Sequence, residues 1–296
     1  MSRTAIEATT TFYQASPGLR LSRWALGAAQ RVWPSLAVRA PLPLFGTPLP
    51  PRWLRRSTRW DAQWQSDRWP FEDASLTLHT RTAEAGSPTV LLVHGWGGHA
   101  GQLLALADAV AAQGLRPVLL ELPAHGHNAG QVSNLPQFAR AIDYAAARLL
   151  HEAHTLHAIV AHSLGANAAA YATSRGLAVQ RLVLLAPPAS ARDYTRFFAQ
   201  VFGLSEATRA RMQALIEARE GVLMANFEPR AIGSRIHVPT LVVHDRGDRI
   251  NPFAHGEAFV QAIAGARLLA TDGLGHRKLL ADEHVLREVA QFLRGD

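Results

Sequence analysis

At 296 residues and 48% hydrophobic content, the chain is long enough for one large α/β domain or two ordinary ones, and apolar enough to bury a core. It contains no cysteine, which excludes disulfides, thiolate catalysis and cysteine metal sites. Its net charge of +7 is carried entirely by residues 1–70, where ten arginines stand against Glu7, Asp61 and Asp67.

Those first 70 residues also hold six of the seven tryptophans and form a distinct arm. Leu21, Trp24, Ala25, Ala28 and Val32 make an apolar stripe at helical spacing, with Arg20, Arg23 and Gln30 elsewhere on the same helix. The run PLPLFGTPLPPRW, residues 41–53, predicts extended, polyproline-like chain that does not continue a helix. Arginine with tryptophan suits a membrane interface. The simpler reading is that tryptophan buries large areas and arginine stems cover apolar surface, so the arm is expected to pack on the following domain. The basic residues are scattered and accompany no binding motif, so no nucleic-acid partner is expected. No apolar run reaches the roughly 18 to 20 residues needed to cross a bilayer, and no signal pattern opens the sequence; the expected compartment is the cytoplasm.

From about residue 70 the pattern becomes regular. Residues 75–81 alternate like a strand, and 89–94 form a short apolar run ended by HGWGGHAG, which suits a buried strand meeting a glycine turn. Further strands are predicted over 117–122, 157–161, 181–186, 240–244 and 267–271. Helices are predicted over 102–113, 135–150, 253–263 and 282–293, with one more running from the serine of AHSLG to about 175. Such alternation implies a doubly wound, mostly parallel sheet with helices on both faces. The rhythm breaks between 187 and 237, which read as helices over 194–202 and 206–219. An insertion there would cap the carboxyl edge of the sheet. Its apolar residues Phe197, Phe198, Phe202, Leu204, Met212, Leu215 and Met224 are candidates for a pocket wall or for the seam between cap and core.

The stretch IVAHSLGANAAAY takes a buried strand through a tight turn into a helix and leaves Ser163 on the bend. Ser163 is either a nucleophile pushed above the sheet edge or a helix N-cap. A nucleophilic hydroxyl needs an imidazole base oriented by a carboxylate. Asp245 and Asp248 follow the strand TLVVH, and His276 lies in a glycine-rich loop after the last strand.

The motifs HGWGG, ELPAHGHN, AHSLG, HDRGD and GLGH occur in order between the expected elements. On them the chain, from about residue 72 to the end, resembles the serine hydrolases of the α/β-hydrolase superfamily, with a bacterial esterase/lipase-like cast. The resemblance implies an α/β-hydrolase fold. Its core would be residues 71–186 and 238–296, with a small helical cap at 187–237 and a helical or extended arm at 1–70. It implies that Ser163 attacks an ester or related acyl bond, that His276 is the base, and that Asp248 is the acid, since Asp245 occupies a position where glycine is usual. Backbone N–H groups of Trp96 and Leu164 would form the oxyanion hole, His94 would stabilise the turn, and no cofactor or metal would be needed. The substrate would be a small apolar acyl ester. One departure stands at the elbow, where Ala161 replaces the first glycine of G-x-S-x-G at the cost of one methyl.

Three other readings remain open at this stage. A nucleotide-binding Rossmann oxidoreductase would use the glycines of HGWGGHAG and Glu121 at the end of the next strand, although the G-x-G-x-x-G spacing is missing. A metal site would draw on His125 and His127 without a carboxylate cluster beside them. A non-catalytic binding protein on the same scaffold would be expected to have lost a triad member.

Overall fold

The computed structural model describes residues 17–49, 58–151 and 156–295. Eight strands form one sheet: β1 (Trp64–Phe71), β2 (Ala74–Arg81), β3 (Thr89–Val93), β4 (Arg116–Glu121), β5 (Leu156–His162), β6 (Arg181–Leu185), β7 (Thr240–Asp245) and β8 (Arg267–Thr271). Their spatial order is β1-β2-β4-β3-β5-β6-β7-β8. The β1–β2 hairpin joins β4 antiparallel, and every other pairing is parallel.

The helices are α1 (Pro17–Val32), α2 (Pro34–Arg39), α3 (Leu42–Gly46), α4 (Leu104–Ala111), α5 (Leu135–His151), α6 (Leu164–Ser174), α7 (Ala191–Phe202), α8 (Glu206–Glu220), α9 (Pro229–Ile232), α10 (Phe253–Ala262), α11 (Gly275–Lys278) and α12 (Glu283–Arg294). Among the described residues, no helix is long and apolar enough to cross a membrane.

Strand β3 reads TVLLV and is buried throughout, as a parallel strand covered on both faces must be. Alternate side chains supply two cores. Leu91, Val93, Leu120 and Ile159 pack under α5, α6 and α10, whereas Val90, Leu92, Val160 and Val183 pack against α4 and α12. A Rossmann sheet orders its parallel strands 3-2-1-4-5-6. Here the six parallel strands, counted along the chain from β3, run 2-1-3-4-5-6, which is not the Rossmann order.

The arm departs from expectation in three places. Residues 64–71 belong to the sheet as its edge strand; the polar sequence WQSDRWPF hides the strand because little of it is buried, and Pro70 is tolerated at an edge. Residues 42–46 are a short helix rather than extended chain. Proline forbids a helix interior but not a first turn, where its missing N–H has no intrahelical partner to lose, and Pro41 and Pro43 both sit at that end. Residues 50–53 of the same run lie outside the described residues.

The third departure is the orientation of α1. It meets the cap through the face opposite the apolar stripe. Arg23 Nη1 donates to the carbonyls of Gln200 (2.9 Å) and Val201 (2.7 Å). Gln30 Nε2 donates to the Gly203 carbonyl (3.2 Å), and its Oε1 accepts from Ser205 N–H (2.6 Å). Leu26, between them on that face, joins a cluster with Val38, Met212 and Ile216. Leu21, Trp24 and Val32 of the stripe are exposed.

The segment that the sequence marks as a cap, α7 to α9, lies between β6 and β7 in the chain and shares a cavity with Leu164 at the start of α6. Asn167 Nδ2 on α6 ties it down by donating to the carbonyls of Pro188 (2.7 Å) and Phe227 (3.0 Å). The arm crosses the loop after β3. A Cβ at Gly97 would lie 2.5 Å from the Leu49 carbonyl oxygen, and one at Gly101 would collide with the Thr58 side chain.

Candidate active site

Ser163 sits between β5 and α6 with φ 53° and ψ −125°, a region that non-glycine residues rarely occupy. The surrounding packing fixes it there. Its N–H donates to the Leu185 carbonyl at 2.8 Å. A Cβ at Gly165 would strike the His94 carbonyl oxygen, and one at Gly95 would lie 2.8 Å from the Ser163 Cβ, so strand, turn and helix approach as closely as backbones can. Ala161 is fully buried in register with Val93 and Leu184, and its single methyl is accommodated. The Ser163 side chain makes no capping bond to α6.

Its hydroxyl instead lies 3.0 Å from His276 Nε2. His276 Nδ1 donates to Asp248 Oδ2 at 2.7 Å, which leaves Nε2 as the acceptor for the serine proton. Asp248 Oδ1 accepts from the N–H groups of Ile250 (2.7 Å) and Asn251 (3.0 Å). Burial would raise the Asp248 pKa, but hydrogen bonds from His276 and the Asn251 backbone, with the His244 ring 3.6 Å away, outweigh it and hold the carboxyl well below the usual carboxylate range.

Asp245, three residues earlier, does something else. Its Oδ2 accepts from the Thr271 hydroxyl (2.8 Å) and from Leu274 N–H (2.9 Å), and its Oδ1 accepts from Gly247 N–H (2.9 Å). It thus ties the end of β7 to the start of α11, the short helix on which His276 stands where the sequence predicts a loop. His162 supports the same helix, its Nε2 donating to the His276 carbonyl at 2.9 Å. Burial, then the neighbouring His276, pushes the His162 pKa down to about 3, so the ring stays neutral at ordinary pH.

Leu164 follows Ser163 directly and Trp96 follows Gly95, where a Cβ would lie 2.8 Å from that of Ser163; the N–H groups of both donate to no group among the described residues. The loop bearing Trp96 is held by histidines. His94 Nδ1 meets the Gly95 carbonyl at 2.7 Å, and its Nε2 lies 3.1 Å from Leu122 N and 3.0 Å from Glu121 Oε1. Glu121 is buried and also receives Ala100 N–H, so it braces this turn. Gly97 N–H donates to His125 Nε2 at 3.0 Å, which gives His125 a positioning role that its place in the sequence did not reveal.

Two further residues escaped the sequence reading. Asn251 is buried, donates through Nδ2 to the Ala186 carbonyl (2.8 Å), and lies 3.4 Å from Ser163 Oγ. Its Oδ1 accepts from the Tyr194 hydroxyl of the cap at 3.0 Å. Neither carries a motif; only the fold brings them to Ser163.

Next to Leu164, the residue after the serine, opens a cavity of about 120 Å³ whose walls are mostly apolar, including Trp96, Ile216, Met224 and Phe227, with Ser133, Asn134, Tyr194 and Glu217 as polar members. Of the seven cap residues singled out from sequence, Met224 alone lines it. Phe198, Leu204 and Met212 face the arm, joining Val38 and Phe45, and the Phe198 and Phe45 rings meet edge-on at 5.2 Å. Phe45, from the arm, completes the cavity wall.

Residues 85–224, just under half the chain, match the family model described as serine aminopeptidase, S33. An esterase from Pyrococcus furiosus is 17% identical and aligns over 84% of this chain and 97% of its own, with a TM-score of 0.62. Est1E from Butyrivibrio proteoclasticus, solved with ferulic acid bound, is 17% identical over 77% of this chain and 96% of its own, with a TM-score of 0.60. A hydrolase from Pseudomonas aeruginosa is 19% identical over 78% and 98%, also at 0.60. No curated protein matched the sequence. The sheet order, the sharp turn at Ser163 and these likenesses support a hydrolase, and they identify the chain as a protein of the α/β-hydrolase fold.

Proposed function

We propose that the protein is a serine hydrolase that cleaves a carboxylic ester or related acyl bond through a covalent acyl-enzyme. The observation that carries this reading is the unbroken chain from Ser163 Oγ to His276 Nε2 (3.0 Å) and from His276 Nδ1 to Asp248 Oδ2 (2.7 Å). Ser163 Oγ attacks the carbonyl carbon while His276 takes its proton, and Asp248 supports the resulting imidazolium. Charge gathering on the carbonyl oxygen is met by the N–H groups of Trp96 and Leu164, each contributing on the order of 10²–10³ in rate. The leaving alcohol takes the proton from His276, and water then repeats the sequence on the acyl-enzyme. These residues complete the cycle without a cofactor.

The mostly apolar cavity lined by Leu164 and Trp96 favours an apolar acyl group of modest length. Arm, core and cap act as one catalytic unit in this scheme, since the arm's Phe45 helps form the acyl site. The test is fluorophosphonate labelling followed by a panel of acyl esters of increasing chain length. Ser163→Ala should abolish both labelling and turnover and leave thermal unfolding nearly unchanged; labelling that persists would remove Ser163 from the role.

A further inference from the structure

We propose that the arm, residues 17–49, docks the protein on an anionic lipid surface. Helix α1 is turned inside out for a soluble protein. Its polar side, Arg23 and Gln30, is spent on the carbonyls and N–H groups at the end of α7, while its apolar side faces solvent. On that outer side Leu21 is 67% exposed, Trp24 74% and Val32 63%. Trp33, Leu36, Leu44 and Leu49 extend the exposed apolar set through α2 and α3. A soluble monomer rarely leaves so many large apolar side chains uncovered along one segment, and tryptophan with leucine on one side of a helix is the composition that settles into the headgroup boundary.

The charge of the arm selects the partner. Residues 17–49 hold four arginines and no acid, and Arg23 among them is engaged with the end of α7, while the residues beyond 70 are balanced. Arg31 and Arg39 are exposed beside the apolar side chains. A second copy seated on the same face would bring two such unbalanced arms together, and the repulsion argues against it. Nucleic acid would leave the exposed leucines and tryptophans in water. An anionic lipid surface meets both demands at once, taking the apolar side chains into its boundary and pairing its headgroups with the arginines.

Position agrees with this occupant. Leu44 and Leu49 are exposed on either side of Phe45, which lines the cavity next to Leu164, so the docking face and the acyl site share one short segment of chain.

The experiment uses the full chain and phosphatidylcholine vesicles with and without phosphatidylglycerol. Sedimentation with vesicles should increase with phosphatidylglycerol and weaken as salt is added. Lipids brominated in their acyl chains should quench tryptophan emission of the wild type. The combined variant Leu21→Gln, Trp24→Gln, Val32→Gln should bind at least about tenfold more weakly while keeping the wild-type circular dichroism. The pair Arg31→Gln, Arg39→Gln should bind more weakly and with a shallower salt dependence. No binding to phosphatidylglycerol vesicles overturns the proposal, as does binding that the triple variant leaves unchanged. A wild-type dimer that the triple variant converts to monomer, with neither binding vesicles, assigns the face to a second copy instead. Should the triple variant fail to fold, quenching of the wild type and the arginine pair decide, and the absence of either effect overturns the proposal. Binding requires no turnover, so Ser163→Ala should sediment like the wild type, which separates this result from the hydrolase reading.

Discussion

Two aspartates three residues apart have divided the work of the loop after β7. Asp248 faces His276; Asp245 holds the next loop in place through Thr271 and Leu274. Asp248→Asn should lower kcat by on the order of 10⁴, because an amide favours the wrong imidazole tautomer. Asp245→Asn should act differently: its amide N–H would oppose the donors it now accepts, so Tm should fall while kcat drops by roughly tenfold or less. Steady-state kinetics with a chromogenic ester, beside thermal melts of both variants, check the pair, and a larger kcat loss at Asp245 would reverse the assignment. Ser163, His276 and Asp248 were legible in the sequence because each stands at a strand end in a fixed order. Asn251, Tyr194 and His125 were not, because their value lies in what they meet across 88, 57 and 28 residues of chain.

At the level of elements, strands and core helices were readable wherever burial imposes a period. The central strands are apolar on both faces, and their limits in the sequence follow from that alone. Periodicity shows that α1 has an apolar side, but not which side turns inward. What decides is its neighbour. The end of α7 presents the carbonyls of Gln200, Val201 and Gly203, which an apolar face leaves unsatisfied and which Arg23 and Gln30 satisfy. Arg23→Ala should therefore loosen arm from cap, costing about 1 kcal/mol in urea unfolding and increasing proteolysis between α1 and α2. Unchanged proteolysis would mean that Leu26 and Phe45 suffice to hold the arm. Edge strand β1 escaped the same reading because a half-exposed strand ending at a proline lacks both the apolar run and the alternation.

For the molecule as a whole, buried neutral histidines set the response to acid. Burial lowers His79 to about 4 and, together with His276, lowers His162 to about 3. Unfolded histidine titrates near about 6.5. Between these values the unfolded chain binds protons that the folded chain refuses, so stability rises with pH across that window and is lost as pH falls from about 6.5 toward 4. Urea midpoints should decline steadily over that range, and His79→Gln should flatten the slope; a midpoint independent of pH would contradict the burial of these rings. The arm carries a consequence of another kind, for how such proteins vary. Thr58 fills the volume that any side chain at position 101 would require, in a glycine whose own backbone asks for no special freedom. A side chain at 101 fits only where residue 58 is smaller or lies elsewhere, so the two positions are tied: Gly101→Ala should lower Tm, and Thr58→Gly should restore it.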